Sequence, residues 1–383
     1  NSHKAELSKP MLVMTTQCFP PRRGGIEHLM HALAESLAES GLLVQVLADA
    51  SRDAQSVAFD RRQPFFTRRF GGPKPWRRWR KAYTLARLLA DPQCRGVIAD
   101  SWKSLECLRL NKMAGQPPII CLAHGTEVPS SPVQNAKTQR ITAAYAKATF
   151  VVANSHATAQ RLTPWLADPA QLRVIHPGLV APAAVSPARR QEVELALANR
   201  TPRLISVGRL EARKGVDTVL RILPRLIAQF PTLMYSIIGD GSQRAALAAS
   251  VAANALTHHV QLISDASDAT RNAYLAASDL FVLPGRSLGD DVEGFGIAFI
   301  EAAWFGLPAV AGIAGGAAEA VIDNKTGLTC RGDDDEAVYT AIVRLLNDAA
   351  WRQRLGVAAQ ARAQEFLWSH VLARYLPLFA PPR

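Results

Sequence analysis

Two glutamates eight positions apart, Glu293 and Glu301, bracket a glycine-rich turn in the stretch DVEGFGIAFIE at 291–301. Glu293 falls in the turn, and Glu301 falls about one turn inside the apolar helix that the next residues predict. Gly294 and Gly296 let the backbone approach a ligand closely and take dihedrals that a side chain forbids. The helix start presents N–H groups without intrahelical partners, together with a partial positive charge. Both suit a phosphate or a polar ligand oxygen. One carboxylate at the mouth and one deeper can grip two separate sets of hydroxyls, which is what a nucleotide-sugar site needs. The bland alternative is a helix with one glutamate near its start and another on its side.

A second constellation lies at 206–215, SVGRLEARKG. It follows a predicted strand and runs into a predicted helix near Gly215. Gly208 frees the turn, and Arg209 and Lys214 supply two cations. Strand, flexible loop and helix start make a diphosphate clamp; a surface loop is the alternative. Gly24 and Gly25 open the first helix of the chain and would let its backbone lie against an anion. No G-K-[ST] follows them and the G-x-G-x-x-G fingerprint is incomplete, which disfavours a nicotinamide cofactor. His124, within AHGTE at 123–127, sits just past a strand end, where α/β domains place site residues. A hydrogen-bonded loop histidine would look the same. His28 and His31, with Glu27 and Glu35, lack the H-E-x-x-H spacing and read as a solvated helix face, so no metal is expected there. Asp333 to Asp335 read as a helix cap, as do Asn154 and Ser155.

The elements that must position these groups follow from the apolar pattern. A chain of 383 residues favours two domains. Hydrophobic residues at 48% and charged residues at 20% support packed cores and exclude a disordered chain. Short apolar runs predict strands at 11–15, 43–48, 96–99, 119–123, 149–153 and 172–175. Leu29, Leu33 and Leu37 mark one face of a helix at 26–40. A break rich in Pro and Ala at 177–187 reads as a linker. A second series follows, with strands at 203–207, 234–238, 260–263, 280–283 and 309–311 and helices at 216–229 and 241–254. Helices at 336–346 and 350–366 and a tail at 367–379 close the chain. The pattern predicts an α/β fold of two facing, Rossmann-like, doubly wound domains, over 1–180 and 181–366, with 367–383 packing back on the first. Ligands are expected beyond the carboxyl ends of the strands, in a cleft between the domains.

Five cysteines form no C-x-x-C pair, and their odd count fits buried thiols in a reducing cytoplasm rather than a disulfide scaffold. No apolar run approaches the roughly 18 residues of a membrane span, so membrane contact is expected to be peripheral. There are 44 Lys and Arg against 32 Asp and Glu, a formal net charge of +12, which suggests a polyanionic partner: an acidic lipid surface, a nucleotide or nucleic acid. Positive charge concentrates at 61–83, where no acid occurs. There Trp76, Trp79 and Tyr83 fall on one helical face among Arg77, Arg78, Arg80 and Lys81. Cations beside interfacial aromatics suit an anionic membrane surface. The same mixture suits nucleic acid, and a core-packed helix with a solvated basic face is the third reading.

With these residues in place the chain resembles the retaining glycosyltransferases of family 4, which have the two-domain GT-B fold. The anchors are FPPRRGGI at 19–26, His124 with Gly125, VGRLEARKG at 207–215, IGDG at 238–241, and the Glu293 and Glu301 pair. Within the family, 291–301 and 311–327 look most like bacterial GDP-mannose-dependent α-mannosyltransferases that act on phosphoinositide mannosides and related lipids. The resemblance implies roles. Gly24 and Gly25 would approach the donor phosphate, and His124 would lie by the transferred sugar. Arg209 and Lys214 would hold the diphosphate. Glu293 would bind sugar hydroxyls with help from the backbone of Phe295, Gly296 and Ile297, and Glu301 would hold the ribose. No metal or other cofactor is implied, because the two cations replace it. The implied enzyme carries a hexose, mannose from GDP-mannose, to a lipid-linked, polysaccharide or lipopolysaccharide acceptor. The net charge, the basic segment at 61–83 and the lack of a span lead to the expectation that it is cytoplasmic and docks on the inner face of the membrane.

Two departures stand out: LISDAS at 262–267 replaces the usual apolar–glycine turn near the base, and the C-terminal tryptophan motif appears as LWSH at 367–370. UDP-glucose or UDP-N-acetylglucosamine is the alternative donor. Asp265 or Asp268 could accept from guanine N1 and N2, which uracil lacks. A basic nucleic-acid-binding protein is the alternative of another class, and the clustering of glutamates and cations at site positions disfavours it.

Overall fold

The run MLVMTT forms β1 (Met11–Thr16), buried on both faces as the central strand of a parallel sheet must be. Leu12 and Met14 share a core with Met30, Leu33 and Leu37 of α1 (Gly25–Glu39). Val13 faces the opposite core, with Leu47 of β2 (Leu43–Asp49), Phe70 of β3 (Phe66–Phe70), and Leu85 and Leu89 of α2 (Lys74–Leu89). Four more strands follow: β4 (Cys94–Ala99), β5 (Ile119–Ala123), β6 (Phe150–Ala153) and β7 (Leu172–Val174). All pairings are parallel, in the order β3-β2-β1-β4-β5-β6-β7. The direction of winding reverses between β1 and β4, which opens a crevice beyond the carboxyl ends of those two strands.

The computed structural model describes residues 10–22, 24–50, 55–110 and 115–380. The chain divides into two compact units, Asn1–Val180 with Trp368–Arg383, and Ala181–Leu367. In the second unit, β8 (Arg203–Val207), α3 (Val216–Gln229), β9 (Met234–Ile238), β10 (Val260–Ile263) and α4 (Asp268–Ala276) are followed by β11 (Leu280–Leu283), α5 (Ile297–Trp304), β12 (Ala309–Gly312) and β13 (Gly327–Cys330). The strands are again all parallel, in the order β10-β9-β8-β11-β12-β13. Here the winding reverses between β8 and β11.

Two strands were not anticipated. β3, FTRRF, lies at a sheet edge, where charged side chains guard the open backbone and break the apolar pattern. β13, GLTC, is a four-residue edge strand beginning with glycine. The caps read from sequence are present: Ser155 Oγ accepts from Thr158 N at 3.0 Å, and Asp334 Oδ1 accepts from Glu336 N and Ala337 N at 3.0 Å.

Two helices, α6 (Asp335–Asn347) and α7 (Ala349–Glu365), complete the second unit, and α8 (Trp368–Tyr375) then returns to the first. Trp368, Val371, Leu372 and Tyr375 join the core of Leu12, Met14 and Met30. A Cβ on Gly178 would lie 2.3 Å from the Trp368 ring, so only glycine lets the indole seat there. No helix among the described residues is long and apolar enough to cross a membrane.

Candidate active site

In the second unit, the loops that follow β8 and β11 meet at the reversal point of the sheet. The first loop carries Arg209, Glu211, Arg213 and Lys214, and the second carries Asp291 and Glu293. Arg213 and Lys214 are buried in the short turn Ala212–Lys214, which ends at Gly215 with φ +74°. A Cβ at Gly215 would also meet Pro284 O at 2.0 Å, so the turn requires glycine twice over.

Lys214 Nζ donates to Glu293 Oε2, and Arg213 Nη1 donates to the same oxygen at 2.8 Å. Arg213 is held from two more sides. Its Nε lies 3.0 Å from Asp291 Oδ1 and its Nη2 lies 2.9 Å from Glu211 Oε2. Arg209, with a side chain 69% exposed, pairs with Glu211 Oε1 at 2.7 Å. Three cations and three carboxylates thus balance within one cluster. Burial alone would push the Glu293 carboxyl up, but Lys214 and Arg213 outweigh it and hold the group below the usual carboxylate range. Burial likewise opposes the Arg213 cation, and Glu293, Glu211 and Asp291 reverse that and raise it. Arg213 was missed from sequence; its one signal was a third cation directly before Lys214.

The helix start read from sequence is present. Gly296 caps α5 at φ +87°, and Ile297 is the first helical residue, behind a buried Phe295. Glu301 lies in the second turn, with its Oε1 3.8 Å from Arg271 Nη2, while Arg271 Nη1 reaches Asp268 Oδ1 at 3.3 Å. The loops touch backbone to backbone. A Cβ on Gly312 would lie 1.7 Å from Gly285 O, and one on Gly315 2.2 Å from Glu293 O. Gly316 N donates to Glu293 O at 2.9 Å. Arg286 anchors the same loop by donating from Nη1 and Nη2 to the two Asp217 oxygens at 2.9 Å. Asp217 stands in the first turn of α3, where a carboxylate also complements the helix dipole.

In the first unit, Asp100 at the end of β4 is the organiser that sequence reasoning missed, although ADS after an apolar run was its signal. It is buried, and its carboxylate accepts from Thr16 Oγ1 at 2.8 Å, Gln17 N at 2.8 Å and Ser104 Oγ at 2.6 Å. Its backbone carbonyl contacts His124 Nε2 at 2.8 Å. A carbonyl only accepts, so His124 Nε2 carries a hydrogen. His124 N donates to Glu127 Oε1 at 2.7 Å. Gly24 and Gly25 open α1 as expected, but the space above Gly24 is filled by the Glu27 carboxylate, 2.2 Å from where a Cβ would stand. Arg22 Nε pairs with Glu27 Oε1 at 3.0 Å. Of the histidines set aside as a metal pair, His31 lies among Phe19, Phe59 and Phe65, with Nε2 2.7 Å from Gln63 Oε1.

The basic segment needs a correction. Lys81 is buried and donates to Thr16 O and Asp49 Oδ1, each at 2.7 Å. Arg77 Nε pairs with Asp49 Oδ2 at 3.0 Å, and Arg78 Nη1 with Glu106 Oε2 at 3.1 Å. These three cations neutralise carboxylates of the first unit. Trp76, Trp79 and Tyr83 are the reverse of core: they are 67%, 57% and 55% exposed, with Trp79 stacked on Tyr83. Arg80 is exposed beside them.

Two Rossmann-like units of seven and six parallel strands are the two halves of the GT-B fold. Residues 23–180 match the model of Glycosyltransferase Family 4, and residues 188–362 match that of Glycosyl transferases group 1. The chain is 31% identical, over 91% of its own length and 92% of the relative's, to a GDP-mannose-dependent alpha-(1-6)-phosphatidylinositol monomannoside mannosyltransferase of Mycolicibacterium smegmatis. It is 27% identical, over 94% of its length and 95% of the relative's, to a GDP-mannose-dependent monoacylated alpha-(1-6)-phosphatidylinositol monomannoside mannosyltransferase of Corynebacterium glutamicum. In fold it is similar to the Anabaena protein HepE solved with UDP, with a TM-score of 0.79 at 19% identity, covering 96% of this chain and 99% of that one. The chain belongs to this glycosyltransferase family and is an enzyme of that class, which replaces the reading as a nucleic-acid-binding protein.

Proposed function

We propose that the enzyme transfers mannose from GDP-mannose to a hydroxyl of a phosphoinositide mannoside or a related lipid-linked glycan, with retention of anomeric configuration and without a metal. The observation that carries this is the Lys214, Arg213 and Glu293 cluster at the reversal point of the second sheet. The donor choice draws support from the full-length relatives, which are GDP-mannose-dependent. Arg209 and Lys214 face the leaving diphosphate and stabilise the charge that develops on it. Their charges, standing ready in the loop, do the work that a divalent ion does in other phosphoryl and glycosyl sites. Glu293 and the backbone N–H groups at Phe295, Gly296 and Ile297 receive the sugar hydroxyls, and Glu301 receives those of the ribose. Asp268, whose side chain is 87% exposed, and Asp265, in a left-handed turn at φ +51°, offer carboxylates to guanine N1 and N2.

Arg209→Ala and Lys214→Ala should each lower transfer on the order of a hundredfold. Full activity in both overturns the mechanism. GDP should displace UDP in calorimetric competition, and tighter UDP binding replaces mannose by a UDP-linked glucose or N-acetylglucosamine. Activity should survive EDTA, and proton spectra of the product should show the α anomer.

The acceptor side of this reading places the enzyme on an anionic membrane. Its support is the exposed stripe of Trp76, Trp79 and Tyr83, beside a groove of about 390 Å³ lined by Arg68, Arg80, Arg87 and Tyr83. Rings that seat among headgroups next to cations that form no ion pair among the described residues suit a negatively charged interface.

A further inference from the structure

Glu293 is served by two cations that differ in how they are held. Lys214 is a compact charge on a flexible stem, and Glu293 is its one ion-pair partner among the described residues. Arg213 is a planar fork, and it spans Glu293, Glu211 and Asp291 at 2.8, 2.9 and 3.0 Å. Turning Arg213 toward a ligand would break three contacts at once, whereas turning Lys214 breaks one. Both cations use Glu293 Oε2, so Oε1 takes no hydrogen bond from the described residues.

Resting on the donor reading above, we infer that Arg213 is the counter-ion that stays on Glu293 when the diphosphate draws Lys214 away, so that it governs the grip on the sugar and not the grip on the phosphate. It is a positioning residue. By holding Oε2 it fixes the carboxylate and leaves Oε1 for a ligand, and by its charge it keeps Glu293 ionised, hence an acceptor for sugar hydroxyls. The charged groups facing Glu293 are Arg213 and Lys214 from the loop after β8, with Glu211 and Arg209 behind Arg213, and Asp291 from its own loop. The loop after β12 meets the Glu293 loop at the backbone of Gly315 and Gly316.

Calorimetry on the full chain with GDP and with GDP-mannose separates the two grips; UDP and UDP-glucose form a second pair, so that a wrong base is read separately. Arg213→Met should leave nucleotide affinity within about threefold yet lose about tenfold or more of the extra affinity that the sugar confers, the size of a charged hydrogen bond. It should also move the acid limb of kcat/KM to higher pH, because the remaining carboxylate ionises less readily. Arg213→Lys should restore most of both. Equal weakening of nucleotide and nucleotide sugar would make Arg213 a phosphate ligand and overturn the inference. An unchanged sugar increment with an unchanged acid limb would make it a structural tie and overturn it as well. Should Arg213→Met fail to fold, Asp291→Asn removes one anchor at a half-exposed position. It should reduce the sugar increment with nucleotide affinity kept, and an unreduced increment overturns the inference. A wild-type chain that binds neither nucleotide pair refutes the donor reading itself, and the inference with it.

Discussion

Glu293 decides more of the local balance than any other single side chain, because two buried cations depend on it. Glu293→Gln keeps the shape and removes the charge, and should cost about 2 kcal/mol of stability, the scale of a charge-assisted hydrogen bond. Its folded carboxyl lies below its ordinary value. The pairing therefore stabilises the fold at pH above that ordinary value, and the contribution disappears as pH falls through the lowered one. Chemical denaturation midpoints taken from neutral pH downward should fall more steeply for the wild type than for Glu293→Gln; parallel curves would contradict the linkage. The glutamates, Arg209, Lys214 and His124 were legible because each stands in a short motif at a strand or helix end. Arg213 and Asp100 were not, because what distinguishes them is the number of partners that folding brings to them, and partners from distant loops leave no local spacing.

The strands and helices read from sequence lie within about three residues of their observed bounds, since strands buried on both faces read as unbroken apolar runs, but helices such as Ala136–Tyr145 and Pro187–Ala196 were not read. β3 and β13 escaped because an edge strand needs neither length nor two apolar faces. The way the loops fit together was also hidden, because it rests on glycines whose neighbours are remote in the chain. Gly312→Ala would force a Cβ to within 1.7 Å of Gly285 O, with backbone on both sides and no side chain to yield. It should cost about 1–3 kcal/mol and lower activity by displacing the loop that carries Glu293. Gly71→Ala, where the nearest atom would be Ala50 Cβ at 3.7 Å, should stay within about 0.5 kcal/mol in the same melts. Similar losses at both positions would show that the close loop contacts matter little.

At the scale of the molecule, the +12 net charge was legible, but not which cations are already spent. Asp49 and Glu106 absorb Arg77, Lys81 and Arg78, leaving the aromatic stripe with Arg80 and the groove arginines. Sedimentation with vesicles should follow that division. Trp76→Ser with Trp79→Ser, and Arg80→Ser with Arg87→Ser, should each reduce binding to anionic vesicles while melts stay unchanged, and added salt should weaken wild-type binding. Lys81→Ser should instead lower the melting temperature. Equal binding to neutral and anionic vesicles, or none to either, would remove the membrane from the reading.

The return of α8 to the first unit has a consequence for the order of events on the ribosome. Domains made early in a chain generally fold first. Here the first unit should wait, because Trp368, Val371, Leu372 and Tyr375 are synthesised only after the whole of the second unit. Until they emerge, the indole seat at Gly178 and the part of α1 that α8 covers should stand open to water. A nascent chain arrested before Trp368 should carry a protease-resistant second unit beside a first unit that is still cut readily, and release of the last helix should protect both.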